Sequence, residues 1–246
     1  MLQTHHHKGI TTLTLDRAEK GNALSAALVE ALIEQVSGAL SDTQSRALVF
    51  NANGKHFCTG FDLSDLATCS EGDLLHRFVR VEQLLQLIWS APVRTVALVQ
   101  GRTWGAGADL FAACEVRLCA ADTTFRFPGV RFGLALGTRR LNERVGADQA
   151  RRWLLDGMEV KADDALKAAL ANGFRVVSSG GSGASANVEV VAAVGNEVVD
   201  RETSVAIRAL TRCDDADRDL AELVRSAVRP GLRARIESYV AGLRKT

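Results

Sequence analysis

The chain has 246 residues, of which 47% are hydrophobic and 24% are charged, and its formal net charge is +1 at pH 7. This is the composition of an ordinary globular protein with enough length for one large core. The near-neutral charge, with both signs mixed along the chain, argues against nonspecific binding of nucleic acid or an anionic membrane, so we expect a small-molecule partner.

Membrane and secretion signals are absent from the sequence. The longest apolar stretches, such as Thr95 to Val99, are far shorter than the roughly 20 residues of a membrane span, and the first residues do not resemble a secretory signal. Five cysteines without C-x-x-C spacing indicate reduced core residues. We expect a cytoplasmic protein without a metal site, in which the run His5 to His7 forms an exposed strand edge.

The first predicted elements form a strand–helix–strand unit. Ile10 to Leu15 alternates between apolar and polar residues and predicts a half-buried strand. Ser25 can cap a helix whose apolar positions run at helical spacing from Leu28 to Leu40. Ala47 to Phe50 predicts a short buried strand, and the Asn- and Gly-rich loop after it favours a turn.

The same alternation then repeats. Apolar residues from Leu74 to Ile88 predict one long helix that ends before Pro92. Alternation of strands, loops and helices predicts parallel sheets. The further predicted elements are a strand over Thr95–Val99, a Gly-rich turn over residues 101–107, a helix over Ala108–Cys114 and a strand over Val116–Ala120.

After about residue 138 the predicted elements are helices. They cover Ala147–Asp156, Ala162–Asn172 with Gly173 as the stop signal, and three amphipathic stretches at the end. The Gly/Ser-rich residues 178–187 predict a flexible loop. We therefore expect a core over residues 1–177, this loop, and a C-terminal helical region over residues 188–246.

Two loops with special backbone chemistry follow predicted buried strands: GKHFCTGFDLSDL at residues 54–66 and QGRTWGAGADLFAAC at residues 100–114. Together with DRAEKGNALS near the start and the later DGMEVKADDALKAALANGF, they resemble the enoyl-coenzyme A hydratase/isomerase, or crotonase, superfamily over residues 10–175. The resemblance implies an α/β crotonase fold, a spiral of ββα turns building two sheets, with C-terminal helices that assemble homotrimers or hexamers. It implies an acyl-coenzyme A thioester as substrate and no separate cofactor.

By this resemblance, two backbone N–H groups stabilise the negative oxygen of a thioester enolate. Their positions match Thr59 and Ala106, and Gly60, Gly105 and Gly107 supply the backbone freedom nearby. Ala106 stands where the family commonly has glycine. The adenine and phosphate end of coenzyme A is expected near Arg17, Lys20, Ala23, Phe61 and Asp62, with surface ion pairing as the alternative role of Arg17 and Lys20.

The resemblance breaks at one catalytic position. Hydratases of the family use two glutamates, and here Asp109 stands at the first position and Gly129 at the second. Each acid–base group contributes roughly 10²- to 10⁴-fold to the rate, so efficient hydration is not expected. A double-bond shift needs one carboxylate, and Asp109 can serve alone. The alternative for Asp109 is a carboxylate that only stabilises a helix start, and Asp62 and Asp65 can likewise be loop or cap residues.

Other residues near these loops suggest further chemistry. The arginines around the missing glutamate suggest an anionic acyl group, with solvated surface positions as the alternative. His56 and Cys58 could form a thiolate–histidine pair, with packing as the alternative for Cys58. The arginines are Arg126, Arg131, Arg139 and Arg140.

Two other classes of protein remain open from the sequence. The strand, Gly-rich turn and helix over residues 95–114 are typical of nucleotide-binding proteins, but the third glycine of the fingerprint is absent and the unit lies in the middle of the chain. The other class is a binding protein that kept the acyl-coenzyme A pocket and lost catalysis, as Gly129, Ala106 and the unusual Gly/Ser-rich segment suggest.

Overall fold

The computed structural model describes residues 1–175 and 190–243. Its larger sheet has six strands: β1 (Leu2–His7), β2 (Ile10–Leu15), β3 (Ala47–Ala52), β4 (Arg94–Val99), β6 (Val116–Cys119) and β9 (Gly173–Phe174). They lie side by side in this order. β1 and β2 are antiparallel, and the other neighbours are parallel.

The middle of this sheet is apolar on both faces. In β3, Leu48 and Phe50 point into the main core, while Ala47 and Val49 belong to a second apolar cluster with Ile10 of β2. Adjacent residues of a strand face opposite sides, and a parallel strand covered on both sides is apolar throughout. The short run of apolar residues in the sequence is therefore a central strand of the sheet.

The long helices begin with the caps that the sequence encodes. Ser25 precedes α1 (Ala26–Ser41), and its hydroxyl accepts the backbone N–H of Leu28 at 3.2 Å. Ser70 precedes α2 (Glu71–Trp89) and forms a capping box with Asp73. In each helix the serine hydroxyl satisfies one free N–H group of the first turn, which fixes where the helix starts.

A second, three-stranded sheet holds the Gly-rich passage. It contains β5 (Arg102–Trp104), β7 (Thr124–Arg126) and β8 (Val160–Lys161). The predicted turn over residues 101–107 is therefore wrong in part, because Trp104 and its neighbours pair with β7 as a strand. Helix α3 (Ala106–Ala113) starts two residues earlier than predicted. The strand β5 separates β4 from α3, so the strand–turn–helix unit of a dinucleotide site is not formed.

The rest of the chain is mainly helical. The helix predicted over Ala162–Asn172 ends at Lys167, and Gly173 lies in β9. The chain turns there because the buried Arg117 side chain binds the carbonyl oxygens of Leu170 and Ala169. The helices are α4 (Thr138–Val145), α5 (Ala147–Leu155), α6 (Ala162–Lys167), α7 (Arg201–Leu210), α8 (Ala216–Ala227) and α9 (Leu232–Leu243).

The last two helices share a core with the first half of the chain. Leu223 of α8 and Ile236 of α9 are fully buried against Leu74 and Phe78 of α2 and against the short 3₁₀ helix Pro128–Phe132. This packing closes one side of the cavity described below. The predicted loop at residues 178–187 lies outside the described residues, and among the described helices none is long and apolar enough to cross a membrane.

Candidate active site

The two predicted loops meet at one cavity of about 230 Å³. Apolar and aromatic side chains from α2, the 3₁₀ helix, α5 and α9 form most of its wall. Asp109 is its acidic residue, and Arg102 lies in the wall beside Trp104. Of the predicted site residues, the cavity brings together Thr59, Gly60, Phe61, Gly105, Ala106, Asp109 and Gly129.

A parallel β-bridge between Cys58 and Thr103 sets the register of the two loops. Trp104 N–H donates to the Cys58 carbonyl at 2.9 Å. Continued along both loops, this register places Gly60 beside Gly105. A methyl group built on Gly105 would lie 3.6 Å from the Gly60 Cα, so the two backbones are in close contact. The next residues in the register are Phe61 and Ala106.

The first predicted donor already has a structural hydrogen bond. Thr59 N–H donates to the Gly21 carbonyl at 3.0 Å, so its assignment as an oxyanion donor is corrected. In the next turn Asp62 N–H donates to the Leu24 carbonyl at 3.1 Å. Between them, Phe61 N–H has no acceptor within residues 1–175 and 190–243, and it is the open N–H of this loop.

The second loop offers its open N–H at the start of a helix. Ala106 is the first residue of α3, no side chain caps this helix, and its first backbone bond is from Asp109 N–H to the Gly105 carbonyl. The N–H of Ala106 is thus one of the free groups of a helix N-terminus. Gly107 lies outside the cavity, and a methyl group there would lie 2.7 Å from the Cys58 Cβ. Its role is to let α3 approach the first loop.

Asp109 lies one turn into α3 and is 6% exposed. Its carboxyl rests on Gly137, where a built methyl group would lie 2.2 Å from Oδ1. Desolvation raises the pKa of Asp109 well above its usual range, the charge of Glu82 raises it further, and Arg140 opposes both effects. A carboxyl with raised proton affinity is suited to take up and return a proton near neutral pH.

Gly129 faces the same cavity from the 3₁₀ helix. Among the described residues, the heavy atom near a methyl group built on it is the Leu134 Cβ, at 4.0 Å. The position therefore has space for a side chain but offers no functional group. Of the described residues that line the cavity, Asp109 is the one with a carboxylate.

The residues predicted for the coenzyme A end lie away from the cavity wall, apart from Phe61. Arg17 pairs with Asp62, and its Nη1 also donates to the Ala23 carbonyl at 3.1 Å. This ion pair holds the first loop against the segment before α1. Arg17 therefore has the ion-pairing role that was the alternative to coenzyme A binding. Lys20 is exposed in the short 3₁₀ helix before α1.

Cys58 has the packing role. It is fully buried, and desolvation raises its pKa to about 12, so the thiol is not ionised near neutral pH. The ring of His56 instead accepts the backbone N–H of Arg102 at 3.1 Å. The thiolate–histidine hypothesis is therefore wrong.

The arginines near Gly129 do not form an anion site inside the cavity. Arg139 pairs with Asp219 at 2.6 Å, and Arg140 pairs with Glu82. Arg126 and Arg131 also lie outside the cavity wall. The wall therefore offers no cluster of cations to an anionic acyl group, and that hypothesis is not supported.

A cationic and aromatic surface, called the mouth below, lies where Arg102 and Trp104 line the cavity and Arg126 lies over the Trp104 ring. The guanidinium groups of Arg102 and Arg126 lie 4.7 Å and 5.2 Å from the ring centroid of Trp104. The indole N–H of Trp104 donates to Thr124 Oγ1 at 3.0 Å, which fixes the ring. Neither arginine has a carboxylate within 4.0 Å in the described part of the chain, so both charges are available to a ligand.

Comparisons with known proteins identify the family of this chain. A family model for enoyl-CoA hydratase/isomerase matches residues 5–179. The chain belongs to this family. A crystal structure from Bordetella parapertussis, named for enoyl-CoA hydratase/isomerase, is 43% identical, covers 98% of each chain and superposes with a TM-score of 0.89. The crotonase fold expected from the sequence is confirmed.

Named relatives in this enzyme family carry more than one activity. The Mycobacterium leprae protein "Probable enoyl-CoA hydratase echA6" is 34% identical over 171 residues, 67% of each chain. The "Ethylmalonyl-CoA decarboxylase" of Rattus norvegicus is 33% identical over 170 residues, 67% of this chain and 56% of that protein. Family membership identifies the class of enzyme, and the reaction must be argued from the site.

Proposed function

We propose that this protein binds an apolar acyl-coenzyme A thioester, stabilises its enolate with two backbone N–H groups, and moves a proton between carbon atoms with Asp109. The observation that carries this proposal is the arrangement of the cavity. One carboxylate, two open N–H groups and an apolar wall meet there, while the second acid position is Gly129. Of the reactions of the family, a double-bond shift fits this set of groups best.

Phe61 and Ala106 are the proposed donors to the thioester oxygen. Their N–H groups are unsatisfied and come from aligned positions of the two loops. Each follows a glycine with positive φ, 103° at Gly60 and 51° at Gly105. Fixed donors aimed at an oxygen on which charge develops stabilise the enolate more than the ground state.

Asp109 is the proposed proton carrier. With a 3-enoyl thioester, its carboxylate takes the proton from C2, and the electron pair moves into the enolate, whose negative charge rests on the thioester oxygen. The carboxylic acid then returns the proton to C4 as the double bond moves from C3–C4 to C2–C3. Since one group is base and then acid, its raised pKa suits both steps.

Hydration of a 2-enoyl thioester makes a different demand on the site. It needs a group that activates water while a proton is delivered to carbon, and hydratases of this family use two glutamates for this. Gly129 supplies no such group, and the apolar wall gives a water molecule few partners. We therefore expect slow hydration.

The mouth fits the anionic part of a coenzyme A thioester. Arg102 and Arg126 offer charges that no carboxylate of residues 1–175 and 190–243 pairs with, and both guanidinium groups lie near the aromatic ring of Trp104. Arginine is suited to phosphate groups. The acyl group would then extend along Phe78, Phe132 and Leu136 in the cavity. We also expect a homotrimer or hexamer, as implied by the family resemblance, which light scattering can test.

Deuterium uptake tests this proposal. Saturated and 3-enoyl thioesters are incubated with the protein in D₂O and analysed by mass spectrometry, and hydration of crotonyl-coenzyme A is measured in parallel. Deuterium at C2 and conversion of the 3-enoyl compound, with slow hydration, is the expected result. Rapid hydration would refute the argument from Gly129. Tight binding with neither reaction would identify a binding protein without catalysis.

A further inference from the structure

A fully buried ion pair lies close behind the Asp109 carboxyl. Arg140 is 1% exposed and Glu82 is 3% exposed. The Arg140 Nη2 donates to Glu82 Oε1 at 2.5 Å, and its Nη1 donates to Oε2 at 3.1 Å. The Nε of Arg140 is buried without an acceptor in the described residues. Such a pair is weak evidence for stability, because desolvation of two charges offsets much of their attraction.

The position of this pair relates it to the proposed proton carrier. Glu82 lies on α2 and Arg140 in the first turn of α4, and both helices pack against α3, which carries Asp109. Gly137, the residue before α4, touches the Asp109 carboxyl. The ion pair therefore ties α2 to the same helix start that supports this carboxyl.

The charges around this carboxyl come from the helices that surround it. Glu82 on α2 and Arg140 on α4 act directly on Asp109 and in opposite directions. Burial raises the pKa of Glu82 and its hydrogen bonds to Arg140 oppose this, while Asp219 on α8 raises it further and Arg139 on α4 lowers it. The nearby thiol of Cys58 is neutral, since burial raises its pKa to about 12.

We propose that Glu82 and Arg140 are positioning residues, a buried pair that holds Gly137 against the Asp109 carboxyl and whose two charges determine the pH at which Asp109 releases its proton. This inference rests on the proposed role of Asp109 as proton carrier and identifies the residues that set the pH range in which Asp109 can act. Glu82 favours the protonated form of Asp109, and Arg140 favours the carboxylate. Neither side chain lines the cavity, so neither is a catalytic residue.

The two partners should give opposite effects when each is neutralised. Glu82→Gln should lower the pH midpoint of Asp109 ionisation, because the negative charge of Glu82 raises the pKa of Asp109; the expected shift is about one pH unit, the lower end of what a nearby charge produces. Arg140→Gln should raise it by a similar amount. If the pair had only a structural role, both variants would shift the Asp109 midpoint in the same direction, because each change breaks the same contact.

The measurement is a ¹³C NMR titration of aspartate carboxyl groups in the full chain, in which Asp109→Asn identifies the Asp109 signal. The pH profile of deuterium exchange is recorded on the same variants. Glu30→Gln is the control, because it breaks a surface ion pair between Glu30 on α1 and Arg80 on α2. This control should leave the Asp109 titration unchanged.

Each single variant leaves an unpaired buried charge and is therefore strongly destabilised. The double variant Glu82→Gln/Arg140→Gln removes both charges, and its midpoint should be slightly below that of the unmodified protein, since Glu82 has the larger effect on Asp109. Equal midpoints in all folded variants would refute the inference. Opposite shifts without deuterium exchange would uphold it and refute the proposed enzymatic function.

Discussion

Replacing Gly129 with glutamate should introduce the hydration that this cavity lacks. The backbone of Gly129 is not among those with positive φ, so it can accept a side chain without strain. The nearest heavy atom to its built Cβ is 4.0 Å away, on Leu134, and the new carboxylate would project from the cavity wall toward the space shared with Asp109. A correctly placed acid–base group contributes roughly 10²- to 10⁴-fold.

The assay is the loss of the conjugated thioester absorbance of crotonyl-coenzyme A on hydration. Gly129→Gln is the matched control, because it has nearly the same shape without an ionisable group. Both changes should leave folding intact, since removal of a glycine at an unstrained position stabilises a protein by about 0.4–1 kcal/mol. If Gly129→Glu folds and binds the thioester but hydrates it no faster than Gly129→Gln, the missing carboxylate does not explain slow hydration.

Three further predictions follow from burial and backbone geometry. Asp109→Asn should raise the free energy of unfolding at pH 8 by about 1.4 kcal/mol for each unit by which the pKa of Asp109 is raised. The gain should vanish below the pKa of unfolded aspartate, because a raised pKa costs stability only as pH rises; denaturant unfolding at both pH values measures it, and an equal gain at pH 3 would contradict this. Iodoacetamide at pH 8 should label the exposed Cys213 in the native protein and label buried Cys58 only after denaturation; mass spectrometry shows which. Gly60→Ala should lower deuterium exchange at least tenfold, because its φ is 103° and its methyl group would lie 3.0 Å from the Trp104 carbonyl oxygen; unchanged exchange would show that the loops tolerate displacement.

Much of the fold follows from periodicity and caps in the sequence. The predicted strand Ile10–Leu15 and the cap at Ser25 are confirmed. The boundaries that differ depend on distant contacts. The helix after Ala162 stops at Lys167 because Arg117, far away in the sequence, binds the carbonyls that follow it. Local sequence carries no signal for such a contact.

The sequence predicts the two loops that form the cavity but assigns one of the two backbone N–H donors to the wrong residue. Asp109, Ala106 and Gly129 do face one cavity, whereas Thr59 N–H is bonded to Gly21. A signal for the open N–H was present, since Phe61 and Ala106 each directly follow a loop glycine. The pairing register that aligns them appears only when the strands are assembled.

The residues behind the site were missed for a similar reason. Glu82 lies among the mostly apolar buried residues of α2, although glutamate is a residue type usually found at the surface. Arg140 was predicted to be solvated or to bind an anion, and it is 1% exposed. The role of each residue depends on the ion pair that Glu82 of α2 and Arg140 of α4 form. The two residues are 58 positions apart, so the local sequence does not indicate this contact.

The central claim is that Asp109 moves the proton at C2 while backbone N–H groups hold the enolate. The most direct test is deuterium uptake at C2 of a saturating 3-enoyl-coenzyme A thioester in D₂O by the unmodified protein and by Asp109→Asn, with thioester affinity measured for both. The predicted result is rapid uptake by the unmodified protein and a loss of at least about 10²-fold in the variant at unchanged affinity. Equal uptake by both proteins would contradict the claim and place the base elsewhere in the cavity.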